Sequence, residues 1–148
     1  MIRKPSVAGQ FYPASAEALK GQLDGLIEQN QNKEEALGLV VPHAGYIYSG
    51  RVAGCGFSQV KLTSTVVILS PNHTGRGEPF SIMTQGTWQM PLGDVEVDSV
   101  LAKEFLKQSK YLREDAQAHA DEHSIEVQIP FLQYLLPEIK IVPIVFSA

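Results

Sequence analysis

The stretch that decides the fold is "VVILSPNHTGRG", Val66–Gly77. Its first four residues are apolar and mostly β-branched, which suits a strand buried on both faces. The run stops at Ser70-Pro71, and a histidine follows between that proline and the glycines Gly75 and Gly77. "LGLVVPHAGYIYSG", Leu37–Gly50, repeats the pattern: an apolar run from Leu37 to Val41, then Pro42, His43, Ala44 and Gly45. Proline stiffens such a loop and glycine permits a sharp turn. In open parallel α/β sheets, sites form beyond the carboxyl ends of the strands. Two strands side by side would bring His43 and His73 out on one rim. Two imidazoles held this way make half of a metal site. Two histidines and a carboxylate hold non-haem Fe(II), and mixed histidine and cysteine sets hold zinc or copper.

Outward from these runs, strands alternate with helices. "SAEALKGQLDGLIEQ" reads as a helix capped by Ser15, with Leu19, Leu23, Leu26 and Ile27 on one face. Polar "NQNKEE", Asn30 to Glu35, is a loop. Ser49 is placed to cap a Gly-rich helix, "GRVAGCGFSQV", whose small residues allow close approach to a sheet, with Cys55 buried on it. "FSIMTQGTWQMPLGDVEVD" reads as a hairpin or edge excursion, with Trp88 as packing. Asp98 or Ser99 opens a helix with Val100, Leu101, Phe105 and Leu106 inward. In "DEHSIEVQIPFLQYLLP", Ile125, Ile129, Leu132 and Leu136 share a helical face, and Pro130 kinks or restarts the helix. The strand "IKIVPIVFSA" closes the chain, and the alternation predicts an α/β domain with a mainly parallel central sheet flanked by helices. A core strand with no helix after it leaves an edge or face for a partner segment, or for self-association.

Bulk properties narrow the function. The 148 residues suit one domain, and 44% apolar with 19% charged residues is an ordinary globular composition. A formal charge of −4 with no basic stripe argues against nucleic acid and anionic membranes. No apolar run reaches transmembrane length, and "MIRKPSVAGQFYP" lacks the apolar core of a secretory signal. One cysteine permits no intrachain disulfide, so the cytoplasm is the expected compartment.

Three further features bear on chemistry. His123 lies in "DEHSIE", crowded by Asp121, Glu122 and Glu126. A neighbouring carboxylate raises a histidine's pKa and fixes its tautomer, which suits a general acid or base with Glu126 as orienting partner. The plainer reading is a helix start capped by Asp121 with a solvated His123. His119, four residues earlier, forms a poor metal pair with His123, because no glutamate stands next to it. "HTGRG" is like a phosphate-cradling loop without the Gly-Lys-Ser/Thr ending, so a phosphate-handling hydrolase rests on that loop alone. Arg76, with Asn72 beside it, is a candidate contact for an anionic substrate.

With these residues in hand, the chain resembles the Memo family, whose prokaryotic branch is named AmmeMemoRadiSam system protein B. The segments "RKPSVAGQFYP", "VPHAGYIYSG", "SPNHTGRG", "MPLGDVEVD" and "DEHSIEVQIPFLQ" carry the resemblance over almost the whole chain. The family in turn resembles class III extradiol ring-cleavage dioxygenases, in which an α/β sheet carries a divalent non-haem metal. The resemblance implies that His43 and His73 are metal ligands and His123 the acid or base. It implies iron, with copper or zinc as alternatives, and a redox-active, dioxygenase-like oxidoreductase site. It further implies a third ligand position in a later segment beginning Ser-Ser-Asp, beyond Ala148. The 148 residues are therefore expected to be an N-terminal portion of the fold, and the metal to be weakly held or absent. The family name implies a radical-SAM system partner. The alternative function is a non-enzymatic interaction module that binds a peptide or small anion in the same cleft.

Overall fold

The computed structural model describes residues 1–29 and 32–147. It is an α/β domain with two mixed sheets flanked by helices. Strands β2 (Thr65–Pro71), β7 (Lys140–Phe146), β3 (Phe80–Ile82) and β6 (Arg113–Glu114) form the larger sheet in that order. β2 runs parallel to β7, β7 antiparallel to β3, and β3 parallel to β6. Two of this sheet's three pairings are parallel, as expected, and the antiparallel step from β7 to β3 makes the sheet mixed. The smaller sheet sets β1 (Ile2–Arg3) parallel to β4 (Thr87–Met90), which forms a hairpin with β5 (Gly93–Glu96). That hairpin is the excursion expected around Gly93-Asp94. Among the described residues, no helix is long and apolar enough to cross a membrane.

Helix α1 (Ala16–Leu26) begins where Ser15 accepts the Ala18 N–H at 3.2 Å. Its Leu19 and Leu23 are fully buried. Helix α2 (Tyr46–Gln59) starts at Gly45 and not at Ser49, because Tyr46 N–H is already held by the Phe11 carbonyl at 2.8 Å. The small residues of α2 serve a helix contact. A Cβ on Gly54 would stand 2.2 Å from the Leu26 carbonyl oxygen, so α2 crosses α1 at backbone distance. Cys55 is exposed, contrary to expectation, on the face of α2 that also carries the exposed Val52 and Gln59.

Helix α3 (Ser99–Gln108) is capped by Asp98, which accepts the Leu101 N–H at 3.0 Å. Its inward face is Leu101, Ala102 and Leu106; Val100 is turned to solvent and Phe105 is only partly covered. After the short α4 (Gln117–Ala120), a 3-10 turn over Glu126–Gln128 runs into α5 (Ile129–Leu135). Pro130 sits in the first turn of α5, where its missing N–H costs nothing, so the helix restarts as expected. Trp88 is fully buried packing.

Two strand expectations need correction. The Leu37–Val41 run forms no strand: among the described residues, no main-chain hydrogen bond joins it to the sheet. Leu39 and Val41 lie against α2, where a Cβ on Gly56 would meet Val41 Cγ1 at 3.0 Å, while Val40 is 99% exposed. β7, expected to offer a free edge or face, lies between β2 and β3 with Ile141–Val145 buried. The outer strands of the larger sheet are β2 and the two-residue β6.

Candidate metal and acid-base cleft

The two Pro-His loops converge although only one follows a strand. β2 delivers Pro71 and His73. The Gln128 side-chain amide donates to the Pro42 carbonyl at 3.0 Å and fixes the loop that carries His43. The ring centroids of His43 and His73 are 5.2 Å apart. His123 joins them, stacked 4.6 Å from His73 and 6.2 Å from His43, with the Phe11 ring at its edge. The loop carrying His123 is tied to the end of β2 by the Ser124 hydroxyl, which donates to the Pro71 carbonyl at 2.7 Å.

Glu122 organises the cluster. Its carboxylate accepts the main-chain N–H of His123 and of Ser124, each at 2.9 Å, and the main-chain N–H of His73. The same carboxylate faces Nδ1 of both rings, at 3.0 Å for His73 and 3.3 Å for His123. A carboxylate on one ring nitrogen fixes the tautomer and leaves the other nitrogen to the cleft. Burial alone would raise the Glu122 pKa. The bonds from His73 and from the Ser124 main chain outweigh it and bring the pKa down to about 2. Ligand atoms of His73, Glu122 and His123 all lie within 4.8 Å of one another, so the three can hold a metal ion.

Two of the imidazoles, His43 and His123, are pushed toward the neutral form. Burial lowers the pKa of His43, helped by His73 and opposed by Glu122. Burial also lowers that of His123; Glu122 opposes it, while His73 and His43 add to it. The expectation that His123 titrates above a free histidine is therefore reversed. Loss of water and two neighbouring imidazoles outweigh the carboxylate.

The acidic neighbours of His123 divide three ways. Asp121 points outward and accepts from Arg76, both exposed. Glu122 turns inward to the rings. Glu126, expected as the orienting partner, lies buried at the N-terminal segment. It accepts from Arg3, from Ser6 N–H at 2.8 Å and hydroxyl at 2.9 Å, from Val7 N–H at 3.1 Å and from Tyr12 hydroxyl at 2.6 Å. Its oxygens are saturated there and it makes no hydrogen bond to His123. Asn72 closes its own loop, accepting from Thr74 N–H at 2.9 Å and donating to the Arg76 carbonyl at 2.7 Å. His119 is fully buried edge-on to Trp88, away from the cluster. Sequence reasoning thus missed Glu122 as a site residue. Its only signal was adjacency to His123, with Asp121 and Glu126 as competing carboxylates nearby in the sequence.

The family model described as "Memo-like protein" matches residues 3–148. A "MEMO1 family protein" of Caldivirga maquilingensis is 47% identical over 98% of the chain and 56% of its own length. Those of Pyrobaculum arsenaticum and Thermotoga maritima are each 46% identical over 97% of the chain, and 56% and 57% of their own lengths. The chain therefore spans little more than half the length of these relatives. Its five motif segments, its mixed α/β architecture and this match over residues 3–148 make the chain a member of the Memo-like family.

Proposed function

We propose that the cleft is a divalent-metal centre of dioxygenase-like design, with iron as the first candidate and copper or zinc after it. His43 and His73 act as ligands and His123 as proton donor and acceptor. The observation that carries this reading is the convergence of three imidazoles from three loops around one ionised, buried carboxylate. Metal ligation needs neutral imidazole, and the lowered pKa values of His43 and His123 favour that form at neutral pH. Glu122 acts on Nδ1 of His73 and His123, the position from which a carboxylate orients a ligating ring. A bound ion would supply Lewis acidity and, with iron or copper, a redox couple. His123, held by Glu122 and backed by Phe11, has its Nε2 free to move a proton at the cleft. A small molecule or peptide would reach the cleft past the half-exposed His73 ring. A free, exposed Cys55 is consistent with a reducing compartment, and we place the protein in the cytoplasm.

Zinc titration followed by imidazole NMR tests the reading. The signals of His43, His73 and His123 should shift together, and that of His119 should not. Glu122→Gln should weaken the response about 10- to 100-fold, whereas Glu126→Gln should leave it in place. Unshifted cleft signals at millimolar zinc would rule out metal binding by these residues alone. A substrate-binding reading through Arg76 would then need a ligand that displaces Asp121.

A further inference from the structure

The "HTGRG" loop after β2 has the glycines of a phosphate cradle, but its main-chain donors are turned to the protein. Asn72 Oδ1 accepts the Thr74 N–H at 2.9 Å, and Thr74 Oγ1 accepts the Arg76 N–H at 3.2 Å. Just past the loop, the Glu78 N–H donates to Asp115 Oδ2 at 2.8 Å. Asp115 directly follows β6, and its own N–H donates to the Ile82 carbonyl of β3 at 3.0 Å. Its other carboxylate oxygen accepts the N–H groups of Gln117 and Ala118, at 2.8 and 3.3 Å, in the first turn of α4. One carboxylate therefore joins the end of the His73 loop to the start of the helix that leads into Glu122 and His123. Gly77 permits the approach. Its φ is +83°, and a Cβ there would stand 2.4 Å from Asp115 Oδ2 and 2.7 Å from Ala118 Cβ.

From this we infer that Asp115, seated against Gly77, is a positioning residue that sets the His73 ring against the His123 ring. It touches neither ring and acts through the main chain. The His73 loop is held at its start by the Asn72 N–H on the Phe146 carbonyl, at 2.8 Å. The Ser124 hydroxyl on the Pro71 carbonyl ties that same end to the His123 loop. Asp115 closes the other end of both. A loop fixed at one end only is free to swing its ring, whereas one fixed at both ends keeps the 4.6 Å stack of His73 on His123. The Arg76–Asp121 pair also links the two loops, but its side chains are 70% and 61% exposed. Such a pair holds little on its own. The glycines of "HTGRG" thus serve a close main-chain contact and not an anion.

Three variants separate this clasp from ordinary helix capping. Asp115→Ala removes all three bonds. Asp115→Asn keeps an oxygen for Gln117 and Ala118 but sets its amide N–H groups against the Glu78 N–H. Asp98→Ala is the control, because Asp98 accepts the Leu101 N–H at 3.0 Å at the start of α3, on another element. The first readout needs no metal and is the ring-to-ring nuclear Overhauser contact between His73 and His123. It should be lost in both Asp115 variants and kept in Asp98→Ala. The second is zinc titration followed by imidazole NMR, which alone rests on the metal reading proposed above. Zinc affinity should fall about tenfold or more in both Asp115 variants and hold in Asp98→Ala. A ring contact that survives in Asp115→Asn overturns the assignment, since the bond from Glu78 then positions nothing. An equal loss of that contact in Asp98→Ala also overturns it, because lowered stability alone would then be the cause. If the unaltered chain ignores zinc, the metal reading falls and the ring contact still decides the role of Asp115.

Discussion

At the scale of single residues, one six-residue turn sends three carboxylates to three different partners. A proline, a histidine and a nearby glycine form a local pattern, so His43 and His73 stand out in the sequence. Which carboxylate faces them depends on how a six-residue stretch turns, and "DEHSIE" offers three. The turn sends Asp121 to Arg76, Glu122 to the rings and Glu126 to Arg3. His119 shows the opposite case, a histidine that composition alone would count as a ligand. It is fully buried and neither ring nitrogen makes a hydrogen bond. Burial, then the charge of Arg3, lowers its pKa from 6.5 to about 4. The unfolded chain takes up this proton near pH 6.5 and the native state does not until near pH 4. Its contribution is therefore complete above 6.5 and is lost as pH falls toward 4. That gap corresponds to about 3 kcal/mol at the acid end. His43 and His123 are lowered too, so they also add to the loss of stability as pH falls. His119→Phe should flatten the decline between those pH values by its own share, read from denaturant unfolding at a series of pH values. An unchanged slope would mean that His119 is protonated in the native state.

At the scale of elements, caps and breaks were readable because they are local. Ser15, Asp98 and Pro130 act where a side chain or ring decides the backbone within four residues. Elements that depend on a distant neighbour were misjudged. Leu37–Val41 has a strand's composition, but a strand needs a hydrogen-bonding partner, and the space beside it is open. The inward face of α3 went wrong for a similar reason: which side of a helix is covered depends on what packs there. Glycines pose the same problem. Gly21 and Gly54 both sit inside helices and look alike in sequence. A Cβ on Gly21 would meet nothing within 4 Å, whereas one on Gly54 would stand 2.2 Å from Leu26 O. Gly21→Ala should therefore stabilise by about 0.5–1 kcal/mol through helix propensity. Gly54→Ala should destabilise by about 1–3 kcal/mol or more, because backbone must move apart. Chemical denaturation of the two variants checks the opposite signs, and equal effects would mean that α1 and α2 do not cross at that distance.

At the scale of the whole molecule, the N-terminal segment joins the smaller sheet to the cleft, and one side chain makes the connection. Arg3 lies on β1, which pairs with β4 of the smaller sheet, and its guanidinium sits 4.4 Å over the Trp88 ring. It donates to the His119 carbonyl at 3.0 Å and to the Glu122 carbonyl at 2.7 Å, and pairs with Glu126. A residue at the start of the chain thus holds the loop that positions Glu122 and His123. Both charges of the Arg3–Glu126 pair are buried, with side-chain exposures of 3% and 0%. Removing either alone strands the other without its counter-charge, at a cost of about 3–5 kcal/mol. Removing both leaves no orphan charge. Arg3→Met and Glu126→Gln should therefore each lower stability by that amount, and the double variant by less than their sum, with a coupling of about 1–3 kcal/mol. Trp88, the single tryptophan and fully buried, reports the unfolding through its emission. Strict additivity would show that the pair is not a coupled unit. The N-terminal segment would then be held by the Ser6, Val7 and Tyr12 contacts to Glu126, and Arg3 would owe its cost to its carbonyl bonds and its stacking on Trp88.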